Sequence, residues 1–304
     1  MATTYFRFKS EEIVPVSDVL ADPLQYPEFP PYYYLWAADQ RELDGHYHIT
    51  DLLLGTREAF LKYTADRIID LDSAAPMLAG SFKHGALDRM ENPFEPNIVF
   101  KTEHSVEYKG IQGRIDAFYI DYNKKILVID DMKTGGAFSY KKYMGIVNES
   151  VPVVDEMGDP VLYKSGARKG LQKYKTETRL DPSKADTFEY DVQVSFYYYA
   201  LVEKDPKLKH FTKQLWIHFM LRDGGLAAVQ SQGVKSHNFR EPVTLMDQRL
   251  LDHYILNQKE MLDHALKSGN CPPICPDTWD KKKCQFKYCN VVDVCQKIQA
   301  LEES

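Results

Sequence analysis

The chain has 304 residues, 44% of them hydrophobic, enough to bury a sizeable core. Its formal net charge of −6 excludes a generally basic nucleic-acid coat but leaves room for a local basic groove. No apolar run approaches membrane-span length, the N-terminus lacks a signal-peptide core, and all five cysteines follow residue 270, so the expectation is an intracellular, cytoplasmic protein without membrane contact or a disulfide framework.

Residues 1–45 are rich in proline and aromatic residues and read as irregular. Tyr32, Tyr33, Tyr34 and Trp36 have faces that can stack on bases, but such side chains more readily cover a core. His48 to Leu71 has helical periodicity, with Thr50 as its N-cap. Further on, His84 and Asp88 are four apart and share one helical face. Asn97 to Tyr108 and Gln112 to Tyr122 read as a hairpin around Lys109-Gly110, and Lys125 to Met132 as a third strand, apolar enough to be covered on both faces.

Residues 137–185 form a long insertion with a short hairpin in Val151 to Tyr163 and then a basic stretch. There Lys164, Arg168, Lys169, Lys173 and Lys175 are interleaved with Tyr163 and Tyr174, which suits a flap that tracks phosphates and equally a solvated loop. Asp191 to Lys204 is an amphipathic helix with Gln193 and Tyr197 on one face, Lys213 to Leu221 another strand, and residues 241–268 a long helix. The chain ends in Cys271, Cys275, Cys284, Cys289 and Cys295, a density of thiolates that suggests a soft-metal site. The domain reading is an N-terminal segment 1–45, a core 46–235 carrying the insertion, and a helical extension 236–304 with the cysteines.

The chemistry sits on the strands, in GRIDAFYIDYNKKILVIDDMKTGG from Gly113 to Gly136. Asp116 falls near the end of one strand and Asp131-Met132-Lys133 near the end of the next. Strand residues two apart share a face, so Asp131 and Lys133 project with Leu127 and Ile129, and Asp130 projects the other way. Two carboxylates and a lysine converging at a sheet edge suit metal-dependent phosphodiester hydrolysis. Carboxylates hold a hard divalent ion, the ion lowers the pKa of a bound water, and the lysine meets developing negative charge. The plainer readings are solvated strand-end acids for Asp116 and Asp131, a surface histidine at 84, and a core helix around Gln193 and Tyr197. Glu103 and Glu107 read as a solvated face.

Helix, three strands, helix, strand, with His84, Asp116, Asp131-x-Lys133 and Gln193-x-x-x-Tyr197 in that order, resembles the RecB-type exonuclease branch of the PD-(D/E)XK nuclease superfamily. The resemblance runs from about Thr50 to Leu221. It implies an α/β fold with a restriction-endonuclease-like core, a mixed central sheet flanked by helices, and a helical, cysteine-rich C-terminal extension. It further implies His84, Asp116, Asp131 and the Met132 carbonyl as ligands of Mg²⁺ or Mn²⁺, Lys133 as the catalytic lysine, and Gln193 and Tyr197 as the helix motif beside them. DNA, as linear ends or single strands, is the implied substrate, with a recombination protein as a further partner and a bacterial or phage setting.

Several relatives of this type carry a [4Fe–4S] cluster through one cysteine before the core and three after it. Here Gly55 and Thr56 stand in the earlier region, and the gap from Cys284 to Cys289 is longer than the family pattern. The fourth ligand beside Cys284, Cys289 and Cys295 then falls to Cys271 or Cys275, and zinc or free thiols stay open. A sequence- or structure-specific endonuclease of the same superfamily and a catalytically idle nucleic-acid-binding scaffold are the competing readings. The intact Asp116, Asp131 and Lys133 favour activity; the helix histidine and the Gln-x-x-x-Tyr helix favour an exonuclease.

Overall fold

A computed structural model describes residues 4–38, 46–72, 74–75, 80, 85–92, 94, 97–275, 284, 289 and 291–302. The protein is mixed α/β, with a mixed central sheet and flanking helices. Among the described residues, no helix is long and apolar enough to cross a membrane.

Much of the segment 1–45, read from sequence as irregular, holds regular structure. Thr4–Arg7 (β1) pairs antiparallel with Ile13–Pro15 (β2) and parallel with Arg67–Asp70 (β3). Val16–Ala21 (α1) and Pro31–Ala38 (α2) contribute Val19, Tyr34 and Ala37 to a core shared with Phe6, Ile69 and Leu71. The Tyr34 hydroxyl donates to the Tyr26 carbonyl at 2.6 Å, and that of Tyr33 to the Leu71 carbonyl at 2.7 Å. Most of the aromatic run therefore lies against this core, while Tyr32 is exposed. The strands are too short to show a period of two, and β3 lies about sixty residues from its partner, so only packing reveals them.

The single helix expected from His48 to Leu71 is broken into Ile49–Leu52 (α3), Thr56–Thr64 (α4) and then β3. The N-cap is His48 rather than Thr50, and the Asp51 carboxylate accepts the His48 N–H at 3.2 Å. Gly55 separates the two helices, and Ile68 and Ile69, β-branched, favour the strand that follows.

The central sheet has five strands. Ile98–Tyr108 (β4) and Ile111–Asp121 (β5) form the expected antiparallel hairpin. Lys109 and Gly110 both have positive φ, 55° and 70°, as a two-residue turn matched to the strand twist requires. The other strands are Ile126–Gly135 (β6), Thr212–Leu221 (β9) and Asn238–Pro242 (β10), in the order β10-β9-β6-β5-β4. Between β6 and β9 come Ala137–Met144 (α5), Ile146–Pro152 (β7), Tyr174–Leu180 (β8) and Phe188–Lys204 (α6). Gln248–Ser268 (α7) and Val292–Glu302 (α8) complete the chain.

By contacts the chain divides into two compact units, one of Met1–Ile129, Val192–Gln214 and Leu245–Ser304, the other of Asp130–Asp191 and Leu215–Thr244. In the first, α7 is capped by Asp247, whose carboxylate accepts the Arg249 N–H at 2.9 Å, and it buries Leu251, Ile255, Leu262 and Ala265 along one stripe. The Tyr254 hydroxyl reaches the Leu52 carbonyl at 3.3 Å and ties α7 to α3. In the second, Tyr140 and Tyr143 of α5 pack on Phe219 of β9, with ring centroids 5.4 and 5.1 Å apart, and Tyr140 stacks on Phe239 of β10 at 3.9 Å. Strand β10 lies beyond residue 235, the end of the core as read from sequence, yet pairs with β9.

Candidate functional site

Along β6 the buried side is Leu127, Ile129 and Asp131, the alternation expected of a strand with one face in the core. The opposite face is only half covered, through Ile126, Val128 and Asp130, so the strand is not buried equally on both sides. Asp131 is 1% exposed, and Lys133, two residues on, places its ammonium 2.7 Å from Asp131 Oδ2. Among the described residues that oxygen makes no directed hydrogen bond, so the contact with Lys133 is an ion pair. A carboxylate this deep needs a cation beside it, and here Lys133 supplies one. The Lys133 ammonium also lies 5.8 Å from the centre of the Tyr190 ring. Burial, reinforced by Glu189 and Asp131, pushes the Tyr190 phenol well above its ordinary range and keeps it a neutral donor.

Asp130 is engaged elsewhere. Arg240 binds it through two hydrogen bonds of 2.7 Å, and the same guanidinium lies 4.5 Å over the Trp216 ring. The structure thus separates the two neighbouring acids: one in a bidentate clamp at the half-exposed face, one buried beside a lysine.

Asp116 is the sixth residue of β5, mid-strand rather than near its end, and is 7% exposed. The pairs Thr102↔Ala117 and His104↔Ile115 set Glu103 opposite it. Glu103 is not on a solvated face: its side chain is 2% exposed and ion-paired with Arg114 at 2.6 Å. Its φ of 47° lies in the left-handed region, uncommon for glutamate, and marks a local distortion of β4. Two buried carboxylates and an arginine are therefore collected on β4 and β5. Sequence offered one signal for this, the opposite-sign spacing across the hairpin.

Gln193 and Tyr197, one turn apart on α6, are both buried, and the Gln193 amide donates to the Tyr197 hydroxyl at 2.7 Å. Helix α6 approaches β5 at Gly113, where a Cβ would stand 2.7 Å from a Phe196 ring carbon and 2.9 Å from one of Tyr197. Tyr190 was missed from sequence, although it shares the i, i+3, i+7 spacing of Gln193 and Tyr197. Met132 lies between Asp131 and Lys133 on β6, half-buried. His84 lies outside the described residues.

A second group of chemistry-bearing residues surrounds α4. Arg57 is 1% exposed and grips Glu302 of α8 with contacts of 3.1 to 3.2 Å, while its buried Nε has no hydrogen-bond partner among the described residues. Cys275 accepts the Glu58 N–H on its sulfur at 3.3 Å and lies so close to Gly55 that a Cβ there would overlap it. Burial pushes the thiols of Cys271 and Cys295 up, and the Arg57 charge pulls both back toward thiolate. Cys295 also feels Cys275, Cys284 and Cys271. Cys289 is buried and Cys284 exposed, and all five cysteines are free thiols. Among the described residues, no three His, Cys, Asp or Glu side chains stand together as a ready metal site, here or on the strands.

No family model matches this sequence, and no curated protein matches it. A solved structure, the crystal structure of SSO0001, is similar over 92% of this chain and 93% of its own, at 12% identity and a TM-score of 0.35. A likeness that weak carries no argument about family, fold or function.

Proposed function

We propose that this chain is a metal-dependent DNA exonuclease with a restriction-endonuclease-like core, acting on linear ends or single strands inside the cell. The observation that carries the reading is Asp131: a buried carboxylate whose Oδ2 makes no directed hydrogen bond among the described residues and stands 2.7 Å from the Lys133 ammonium on the same strand face. An acceptor-only group in that state is fitted to a hard cation. Asp131, Asp116, His84 and the Met132 carbonyl are the ligands in this reading. Bound Mg²⁺ or Mn²⁺ would neutralise phosphate charge and lower the pKa of a water. Lys133 holds a positive charge where negative charge develops, and Tyr190 is a neutral donor beside it. The hydrogen bond from Gln193 to Tyr197 fixes the amide plane of Gln193 for a contact with lysine or phosphate.

The cysteines fit a soft metal in the same reading. Burial raises the thiols of Cys271 and Cys295, and the Arg57 charge beside them offsets part of that rise and suits an anionic thiolate–metal group. Cys284, Cys289, Cys295 and Cys275 are the ligands we assign, Cys275 rather than Cys271 because it fills the space beside Gly55. An iron–sulfur cluster is our reading, with zinc as the alternative, and the role is to fasten the tail.

Digestion of end-labelled linear and circular DNA with Mg²⁺ or Mn²⁺ tests the activity. Linear DNA is degraded, circles survive, and chelation stops the reaction. Asp131→Ala loses roughly 100-fold or more, as loss of a charge-stabilising group does. Asp116→Ala and Lys133→Ala behave alike. Asp130→Ala keeps most activity, because its carboxylate is spent on Arg240. Substantial turnover by Asp131→Ala defeats the site assignment; cleavage of circles turns the reading toward an endonuclease.

A further inference from the structure

The insertion between α5 and α6 leaves and returns through one neck. Gly145, with φ of 70°, ends α5, and its carbonyl accepts the Asp181 N–H at 2.8 Å. From there β7 and β8 run as a two-stranded ribbon, paired from Ile146↔Leu180 to Pro152↔Tyr174. Beyond Pro152 the ribbon folds on itself. The Val153 N–H bonds the Lys173 carbonyl at 2.9 Å, the Lys173 N–H the Val161 carbonyl at 2.8 Å, and the Tyr163 N–H the Leu171 carbonyl at 2.9 Å.

A ribbon of this kind is marginal in water unless something covers a face. This one leaves apolar groups outside. The pairs Pro152↔Tyr174, Val154↔Pro160 and Leu162↔Gln172 set Val154, Leu162 and Tyr174 on one face, all exposed, and Met157 at the turn is 88% exposed.

Its charge is divided just as unevenly. From Val161 to Thr176 there are five cationic residues and no acid, in a chain of net charge −6. Lys175 is paired with Glu177 at 2.7 Å, but Lys164, Arg168, Lys169 and Lys173 have no acidic partner among the described residues. Arg168 and Lys173 lie 5.9 and 5.6 Å from the centre of the Tyr163 ring. Apart from Glu177 on β8, the acids of the ribbon lie in the other limb, Glu149, Asp155, Glu156 and Asp159, where Asp155 accepts the N–H groups of Met157 and Asp159 at 2.9 Å each.

We propose that the ribbon 146–180 is a strand-holding arm: Lys164, Arg168, Lys169 and Lys173 bind the phosphates of a single nucleic-acid strand, and the face of Val154, Leu162 and Tyr174 packs against its bases. The inference rests on the reading of DNA as substrate. An acidic protein would satisfy the cations and leave the apolar face wet. An apolar protein would cover that face and strand the cations. A duplex hides its bases. A single strand meets both needs at once, with phosphates along one edge and π-faces along the other. The arm follows Lys133 through α5 alone, in the same compact unit, so substrate held by it belongs to the same stretch of chain as the proposed lysine.

Fluorescence anisotropy of labelled single-stranded and duplex oligonucleotides, in EDTA and over a salt series, tests the arm. The quadruple variant Lys164→Ser, Arg168→Ser, Lys169→Ser, Lys173→Ser should bind the single strand roughly 100-fold more weakly at about 0.1 M salt, with the log–log salt slope lower by about three, four phosphates at roughly 0.7 each. Leu162→Ser with Tyr174→Ser should weaken binding and leave the slope unchanged. Circular dichroism confirms that both variants are folded, and replacing Val153–Lys173 by Asn-Gly should weaken binding as the quadruple variant does. Equal affinity and slope in the wild type and the quadruple variant overturn the proposal. So does preference for duplex, or binding of a polyglutamate peptide in place of the oligonucleotide. A wild type that binds through the arm yet hydrolyses no DNA with Mn²⁺ upholds the arm and sinks the nuclease reading. A wild type that hydrolyses DNA while the quadruple variant binds undiminished does the reverse.

Discussion

Arg57 shows how one buried side chain organises the end of the chain. Its two terminal nitrogens are committed to Glu302, yet the pair is asymmetric: the guanidinium is buried and the carboxylate half-exposed. Removing the carboxylate leaves a buried charge uncompensated, whereas replacing the guanidinium by an apolar group of similar length leaves an acid that can turn to water. In metal-free protein Glu302→Ala should therefore cost about 3 kcal/mol, and Arg57→Met about 1 kcal/mol, by denaturant unfolding. Equal losses would mean that Glu302 is not the compensating charge. A like contrast separates Asp130 from Asp131, since a half-exposed carboxylate released from its clamp can turn to water, whereas a buried ion pair is expensive to break.

Among the elements, α6 and β5 are the pair whose contact the proposed chemistry most depends on. The helix reaches the strand because residue 113 has no side chain. Gly113→Ala would reduce the freedom of the unfolded chain, a gain of about 0.4–1 kcal/mol, but would press on buried Phe196 and Tyr197, an overpacking cost of about 1–3 kcal/mol. The second term is larger. The variant should melt lower and lose activity through displacement of the Gln193–Tyr197 pair, and a variant as stable and active as the wild type would show that the helix can shift freely. The helical pattern from His48 to Leu71 illustrates the opposite relation. Its apolar spacing continues through Ile68 and Ile69, but pairing with β1 makes them a strand, because a partner strand outweighs a weak local preference.

At the scale of the molecule, neither compact unit is a continuous stretch: β6, α6 and β9 each run from one into the other. A linear division at residues 45 and 235 follows composition and misses this, because contacts gather residues far apart in sequence. The C-terminal tail is joined to its unit by Arg57–Glu302 and by the thiols beside α4. If those thiols hold a metal, binding adds to folding stability, by about 2.7 kcal/mol at a hundredfold excess over Kd. Protein purified without air should be brown, contain iron and sulfide, and melt higher than after chelation; a colourless protein with zinc would show the alternative. Absence of both metals, with no change in melting on chelation, defeats the staple.

Local geometry is legible in the order of the residues alone. Asp131 and Lys133 share a face because strand side chains alternate, Lys109-Gly110 turns because of the φ values that glycine tolerates, and Gln193 meets Tyr197 because a helix repeats every 3.6 residues. These follow from backbone periods spanning a few residues. The partners of those groups are decided only by tertiary packing: Arg240 on Asp130, Arg114 on Glu103, Tyr190 beside Lys133, Cys275 against Gly55. Each joins positions whose separation the periods do not encode, and burial rather than pattern sets the charge each group needs beside it.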